Sequence, residues 1–205
     1  MRNLILLLWG PVMIDKKYEL TDETTIIDKY ILYRIKALRD FGDVRAGDLG
    51  GYIQSEENLS HENICWVSDN ACIYQDAWVR GNARVFGNAL VFENAQVFGN
   101  ALVFGNALVF GNARVFGNTW VGGDAHVYGD AWVFGNAWIY GDDRVYGNAN
   151  GNANGNAWIY GDDRVFRNAR IYENAKVSGR DWIAWKYLST LYKKFNSFIK
   201  EINCE

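Results

Sequence analysis

Apolar and polar residues recur along most of this chain with a period of six. The unit reads A-x-V-[FY]-G-N, as in ALVFGN at residues 101–106; it runs without a break from Cys65 to Asn148 and resumes at Ala157. Alanine and valine lie two positions apart, so in an extended segment both point to one side, while the x residue and the aromatic residue point to the other. Glycine and asparagine tolerate positive φ and turn the chain. Each hexad therefore predicts a short strand followed by a corner.

The near-identity of successive hexads decides between two ways of packing these strands. An antiparallel meander would set alanine opposite phenylalanine on neighbouring strands and would bury no position consistently. A parallel coil stacks valine on valine, asparagine on asparagine and phenylalanine on phenylalanine at the usual strand spacing of about 4.8 Å. The pattern therefore predicts an all-β solenoid.

The hexads resemble those of the hexapeptide-repeat family of left-handed parallel β-helices, in which a small residue precedes the aliphatic residue by two positions and the corner is Gly, Asp or Asn. The resemblance covers residues 65–180 and implies a left-handed helix of about six coils, with three hexads in each coil. The GNAxV[FY] array and the segment that begins at Tyr30 are also similar to uncharacterised phage, prophage and bacterial proteins. That similarity implies a phage- or prophage-encoded protein that acts on a host factor.

One irregular octet, ANGNANGN at residues 149–156, interrupts the repeat. The string NAWIYGDDRV stands on both sides of it, at Asn136 and at Asn156, a shift of twenty residues. Three hexads and two further residues make twenty, so we expect the octet to act as one hexad with a two-residue bulge that places Trp138 over Trp158. The alternative is a duplicated segment whose octet loops out of the coil.

Segments without the repeat flank the solenoid. Residues 13–64 are interpreted as a small N-terminal cap, with a strand at Tyr30–Leu38, a Gly/Asp-rich turn region and a second strand near Tyr52–Ile53. A cap is expected because a bare solenoid end exposes core and unpaired backbone groups. Residues 181–205 predict an amphipathic capping helix with Asp181 as its N-cap. Its apolar stripe comprises Trp182, Trp185, Leu188, Leu191, Phe195, Phe198 and Ile202.

The first residues, MRNLILLLWGPV, carry an apolar run that is too short to span a bilayer, so we expect no stable membrane insertion. The run resembles a weak signal peptide, but no small-x-small cleavage site follows before Asp15. The other interpretation is that the native start is Met13 and that residues 1–12 are an upstream extension.

Composition limits the class of protein and the cellular compartment. Of 205 residues, 49% are hydrophobic and the formal net charge is −3, so the chain can build a core and lacks the basic balance typical of nucleic-acid binding. The three cysteines form no CxxC or Cys/His cluster, which disfavours a disulfide framework and a zinc site. Cys65 falls in the inward alanine slot and Cys72 in the outward x slot. We therefore expect a reducing, cytoplasmic location.

Many hexapeptide-repeat proteins are acyltransferases that use acetyl- or acyl-coenzyme A and a histidine general base, so the resemblance makes both histidines candidate catalytic residues. His126 occupies an outward x slot, and His61 lies in the cap next to the first coil. The family's small residue after the aliphatic position is here Phe or Tyr, and no long loop projects from the coils to frame a substrate. We therefore expect a non-enzymatic protein without a cofactor, with an acyl-coenzyme A-dependent acyltransferase as the alternative.

Two acidic residues, Asp143 and Asp163, occupy the slot in which alanine points inward. With a bulged octet they would lie one coil apart, where like charges repel unless a proton or a cation such as calcium lies between them. The alternative is that both carboxylates bond corner amides or Arg144 and Arg164.

The outward slots form apolar columns, and these columns predict the function. Stacked aromatic pairs contribute about 0.5–1.5 kcal/mol each, yet strips of this length exceed what monomers usually expose. We therefore expect a structural or interaction protein that forms a homodimer or homotrimer or binds a protein partner; a glycan- or surface-binding module is a further alternative. The predicted interaction residues are Leu90, Phe92, Leu108, Phe110, Tyr128, Trp120, Trp138 and Trp158.

Overall fold

The computed structural model describes residues 15–148 and, further along, the backbone of six short strands between residues 158 and 188. The cap elements are β1 (Tyr18–Ile27), β2 (Tyr30–Ala37), β3 (Leu49–Ile53) and a 3-10 helix at Glu56–Asn58. The strands of the repeat are β4 (Trp66–Val67), β5 (Cys72–Ile73), β6 (Trp78–Val79), β7 (Arg84–Val85), β8 (Leu90–Val91), β9 (Gln96–Val97), β10 (Leu102–Val103), β11 (Leu108–Val109), β12 (Arg114–Val115), β13 (Trp120–Gly123), β14 (His126–Asp130), β15 (Trp132–Val133), β16 (Trp138–Gly141), β17 (Arg144–Asn148), β18 (Trp158–Gly161), β19 (Arg164–Arg167), β20 (Arg170–Ile171), β21 (Lys176–Gly179), β22 (Trp182–Ile183) and β23 (Tyr187–Leu188).

The repeat strands pair in parallel from coil to coil and form three faces. Face A contains β5, β8, β11, β14, β17, β19 and β22; face B contains β4, β7, β10, β13, β16, β18 and β21; face C contains β6, β9, β12 and β15. Partners such as Leu90 and Leu108 on face A, or Leu102 and Trp120 on face B, are three hexads apart in the sequence. The parallel β-solenoid predicted from the hexads is therefore confirmed.

The core runs along the inside of the solenoid. Alanine and valine of each hexad are buried, as in Ala107 and Val109 at 0% exposure, whereas Leu108 and Phe110 of the same hexad are half-buried on the outside. Full burial of one valine-sized side chain stabilises a fold by about 1.5–3 kcal/mol. The repeated A-x-V unit thus supplies one continuous core.

The Gly-Asn pair turns the chain and also links successive coils. Gly111 has φ +73°, and a Cβ added there would lie 2.8 Å from the backbone nitrogen of Gly129 in the next coil. Next to this column of glycines, Asn94 Nδ2 donates to Asn112 Oδ1 at 3.1 Å, and Asn112 Nδ2 donates to Asp130 Oδ1 at 2.8 Å. Glycine is therefore required by both the positive φ and the close approach of the corners.

The cap extends face A at its N-terminal end. β1 and β2 form an antiparallel hairpin, β2 pairs antiparallel with β3, and β3 pairs in parallel with β5. β2 coincides with the strand expected at Tyr30–Leu38, and β3 includes Tyr52–Ile53. The sequence pattern does not predict β1, whose segment YELTDETTII carries three acidic residues.

The cap also buries both cysteines of the first coil. Cys65 lies in the solenoid core, as its inward slot predicts. Cys72 belongs to a second cluster outside that core, where Leu32 of β2 and Tyr74 leave it 4% exposed. An outward slot in the first coil is therefore covered by the cap, which the period alone does not indicate.

Beyond the octet, the strands keep the register that the repeat predicts. Trp138 pairs with Trp158 and Ile139 with Ile159, which confirms the expected shift of twenty residues, while residues 149–157 lie outside the described part of the chain. The predicted helix at residues 181–205 and the segment 1–12 also fall largely or wholly outside it. Two short stretches within that predicted helix, 182–183 and 187–188, are the strands β22 and β23. Trp182 continues the parallel register beside Arg164. Among the described residues, no helix has the length and apolarity needed to cross a membrane.

Candidate interaction surfaces

An apolar strip runs along the outside of face A, and we call it the face A column. The rings of Phe92, Phe110 and Tyr128 stack nearly parallel, with centroid distances of 4.9 and 5.0 Å. The parallel register causes this stacking, because each coil sets the same hexad position at the same place on the face. The face A column comprises Leu90, Phe92, Leu108, Phe110 and Tyr128; the Tyr146 ring lies next in line, 4.9 Å from Tyr128 and tilted by 36°.

The cap covers one end of the face A column. Tyr74 stacks on Phe92 at 5.1 Å and is itself buried beside Leu32 of the cap hairpin. This burial raises the pKa of the Tyr74 hydroxyl to about 12. Leu90 packs against the same cluster. The column is more accessible in the later coils, where Tyr146 is 39% exposed.

His126 lies in the column's line of x residues, as the register partner of Leu108 and Arg144. Burial lowers the pKa of the His126 imidazole below its usual value and Arg144 lowers it further, while Asp124 and Asp142 oppose the change. The shift therefore favours the neutral imidazole. Along this line, Leu90, Leu108 and His126 precede the first formal charge, which is that of Arg144.

Face B carries the tryptophans. The indoles of Trp120 and Trp138 stack at 4.5 Å with nearly parallel rings and are 38% and 37% exposed. The backbone of Trp158 continues the pairing; its side chain is outside the described part of the structure. Gly122 occupies an aromatic slot, and the Phe104 ring leans into the space where a Cβ would stand. The aromatic column of face B is therefore interrupted where that of face A is continuous.

Face C mixes aromatic and charged side chains. Phe98, Phe116 and Phe134 stack at 4.8 and 5.1 Å. The Arg114 guanidinium lies 5.0 Å over the Trp132 ring, beside a shallow groove. The groove is lined by Asn94, Gln96, Asn112, Arg114, Asp130 and Trp132. Charged and amide groups thus break the apolar surface of face C.

The structure divides the predicted interaction residues between two faces. The leucines, phenylalanines and Tyr128 lie on face A, whereas Trp120, Trp138 and Trp158 begin strands of face B. The hexad period identifies the columns, but whether two columns share a face depends on closure of the coil by three hexads. The two groups are therefore separate surfaces.

His61 takes part in the packing of the cap. Its Nδ1 accepts the Lys17 backbone N–H at 3.2 Å, its ring stacks on Tyr18 at 4.3 Å, and its Nε2 lies 3.5 Å from a Glu56 carboxylate oxygen. Burial lowers the pKa of His61, and Glu56 opposes this change. The fold places His61 in the cap and His126 on β14, so it does not bring the two candidate bases together.

Asp143 is fully buried in its inward slot. The backbone carbonyl of Asp143 accepts the His126 N–H at 2.8 Å as part of the face A ladder. Asp163 lies outside the described residues, so the pairing of the two carboxylates stays a prediction. Within the described chain, no three His, Cys, Asp or Glu side chains are grouped so that they could hold a metal ion.

Sequence reasoning missed a buried polar cluster where the cap meets the solenoid. Lys17 is fully buried, and its Nζ donates to the Cys65 carbonyl at 2.8 Å and to Cys65 Sγ at 3.3 Å. The Tyr18 hydroxyl donates to the Leu59 carbonyl at 2.7 Å. One signal was available: a cysteine fills a slot that alanine fills in most later hexads, which marks a different environment in the first coil.

Comparison with known proteins supports the repeat assignment. Residues 95–109 and 107–123 match the family model described as the YdcK beta solenoid repeat. No curated protein matches the chain. The matched residues contain β9 to β13, in which all three faces are represented. The match and the fold agree: this chain is a β-solenoid repeat protein, similar over these residues to the YdcK repeat.

Proposed function

We propose that the protein is a non-enzymatic scaffold that self-associates through the face A column. The continuity of that column carries the proposal, since stacked rings and leucines follow one another without a formal charge until Arg144. The other faces are less suitable, because Gly122 interrupts the aromatic column of face B and Arg114 lies on face C. A second copy of the column is a flat, uncharged and complementary surface.

The geometry also indicates how such a contact would be stabilised. The phenylalanine rings cover each other's faces, so the column presents ring edges and leucine side chains as an even surface. At roughly 25 cal/mol per Å², burial of five such side chains would supply several kcal/mol before the cost of association is subtracted. Cyclic dimers or trimers are expected, because closed symmetry hides the column in every subunit.

A matched pair of variants tests the proposal, because the same LVF triplet stands on two faces. Leu108→Glu with Phe110→Lys changes the triplet on face A, and Leu102→Glu with Phe104→Lys changes the triplet on face B. All four positions are half-buried on the outside, so the core should survive both changes. Light scattering should show that the face A variant is a monomer and that the face B variant keeps the wild-type assembly, with equal β signals in circular dichroism.

Two results would contradict self-association through face A. One is a wild-type chain that is already monomeric at tens of micromolar. The other is an assembly that the face B variant disrupts and the face A variant leaves intact. The phage-related resemblance implies a host factor as a further partner. A host protein that is retained by wild type and lost with the face A variant would assign that partner to the same column.

The alternative functions have their own tests. Coenzyme A binding in a calorimeter would favour the acyltransferase, and its loss on His126→Ala would assign the site. A glycan array would test the tryptophans of face B. Sugar rings stack on open aromatic faces, whereas Trp120 and Trp138 cover one another at 4.5 Å, which is why we prefer the protein-binding function.

A further inference from the structure

Lys17 and Cys65 lie side by side where the cap meets the first coil, and both are fully buried. Lys17 Nζ is 3.3 Å from Cys65 Sγ. The same nitrogen donates to the carbonyls of Cys65 at 2.8 Å and of Glu62 at 3.4 Å, and it lies 5.0 Å over the Phe41 ring. These contacts fix the nitrogen against the sulfur. A separation of about 3–3.5 Å is the distance from which two atoms can react once the proton between them has left and their orbitals are aligned.

Burial also sets the chemical state of the pair. It lowers the pKa of the Lys17 ammonium, an effect that Cys65 opposes, so the nucleophilic amine forms at a lower pH than in a free lysine. It raises the pKa of the Cys65 thiol, an effect that Lys17 opposes. The thiolate is the form that attacks oxidants, so oxidation of Cys65 is expected to be the slow step.

We propose that Lys17 and Cys65 form a covalent N–S cross-link, a sulfenamide, when the protein is exposed to hydrogen peroxide. In the first step the Cys65 sulfur takes one oxygen from the peroxide and becomes a sulfenic acid, and the peroxide is reduced to water. In the second step the Lys17 nitrogen forms a bond to sulfur, and the sulfenic oxygen leaves as a second water with a proton from the amine. Sulfur loses two electrons overall, and the chain loses two hydrogen atoms.

The surroundings of Lys17 and Cys65 determine how an oxidant reaches the sulfur and what the cross-link would do to stability. Residues 62–64, immediately before Cys65, are exposed, and so is the side chain of Lys16 next to Lys17. A small oxidant would reach the buried sulfur by passing these exposed neighbours. The new bond would join positions 48 residues apart and would fasten the start of β1 to the first coil. Such a link raises thermal stability by restricting the unfolded chain.

The test uses the full-length chain with Cys204→Ser, which leaves Cys65 and Cys72 as its thiols. After peroxide treatment, intact mass should fall by two hydrogen atoms, and proteolysis should yield one linked peptide that contains Lys17 and Cys65. A thiol reductant should restore both the mass and the original melting temperature. Lys17→Arg keeps a cation but removes the nucleophilic amine, so it should give oxidised Cys65 without a link.

Cys72 provides the matched control. Its thiol is buried too, with its pKa raised to about 11, but it donates to the Asn70 carbonyl at 3.3 Å and is not beside an amine. Cys72→Ser should therefore retain the cross-link. The proposal is wrong if Cys65 stays unmodified under conditions that oxidise free cysteine in a parallel sample. It is equally wrong if Cys65 reaches the sulfinic acid without a linked peptide, or if the lost hydrogens map to a Cys65–Cys72 disulfide.

Discussion

The cap and the solenoid are held together by different kinds of contact. In the solenoid the contacts at the corners recur, as when Asn94 bonds Asn112 and Asn112 bonds Asp130 at the same place one coil later. In the cap each contact occurs once and joins distant parts of the chain, as in the bond from Tyr18 to Leu59, 41 residues away. The solenoid therefore depends on a backbone geometry that every coil shares, whereas the cap depends on individual side chains.

The largest loss is expected from a change that breaks the shared geometry. Gly111→Val would place a β-branched residue at φ +73°, with its Cβ 2.8 Å from the Gly129 nitrogen. Strain and clash together should cost about 3–5 kcal/mol of unfolding free energy. Urea denaturation followed by circular dichroism measures this, and a cost below about 1 kcal/mol would mean that the corners do not need glycine.

Glu93 provides the matched control for that substitution, because it has φ +59° at the equivalent corner one coil earlier. There the Glu93 N–H donates to the Gln75 side chain at 2.8 Å, so a side chain of the preceding coil accepts the backbone hydrogen bond of this corner. Glu93→Gly removes a residue from a conformation that costs L-residues about 1–2 kcal/mol. It should leave stability unchanged or raise it slightly, opposite in sign to Gly111→Val.

A single hydrogen bond should matter more in the cap than in the solenoid. Tyr18→Phe removes the hydroxyl that donates to the Leu59 carbonyl at 2.7 Å and leaves a buried acceptor without that donor. The expected cost is about 1–3 kcal/mol. Thermal and urea unfolding measure it. Equal stability of the variant and the wild type would show that water replaces the hydroxyl and that the junction is less closed than its burial indicates.

The same contrast explains what the sequence could predict. The hexad places Val109 inside and Phe110 outside, because neighbouring coils repeat the same local environment and nothing distant is needed. It also predicts the pairing of Trp138 with Trp158. It does not predict that Lys17 is buried or that Cys72 is covered, because those outcomes depend on the path of a hairpin without a period. The hexad pattern alone does not assign the tryptophans and the leucines to separate faces; that assignment needs the three-hexad coil that the family resemblance implies, since Leu108 and Trp120 lie two hexads apart.

A smaller, pH-dependent effect is expected at His61, whose folded-state pKa lies below the usual 6.5 because of burial. The unfolded chain therefore binds a proton first as pH falls. The contribution of His61 to stability is complete above pH 6.5. It is lost progressively as the pH falls below that value, down to the folded-state pKa.

The melting temperature should accordingly fall as pH drops from about 7.5 to about 5. His61→Asn keeps an acceptor near the Lys17 N–H but does not titrate, so its melting temperature should fall less over the same range. Burial also lowers the pKa of His126, but His126 is present in both the wild type and the His61→Asn variant, so its effect on the two melting curves is equal. Parallel curves for the two proteins would assign the pH dependence to other groups.

The smallest effect is expected for one rung of a corner ladder. Asn112→Ala removes two amide contacts, but the side chain is exposed and water can replace them, so the cost should stay below about 1 kcal/mol. Asn112→Asp should be the worse substitution even though it is nearly the same shape. It keeps an acceptor for Asn94 but sets a carboxylate directly against Asp130, where like charges repel. Added salt should reduce the loss for the aspartate variant and leave the alanine variant unchanged. If the order is reversed, the ladder stabilises the coils through its hydrogen bonds more than exposed amides usually do, and the solenoid would share the cap's dependence on single contacts.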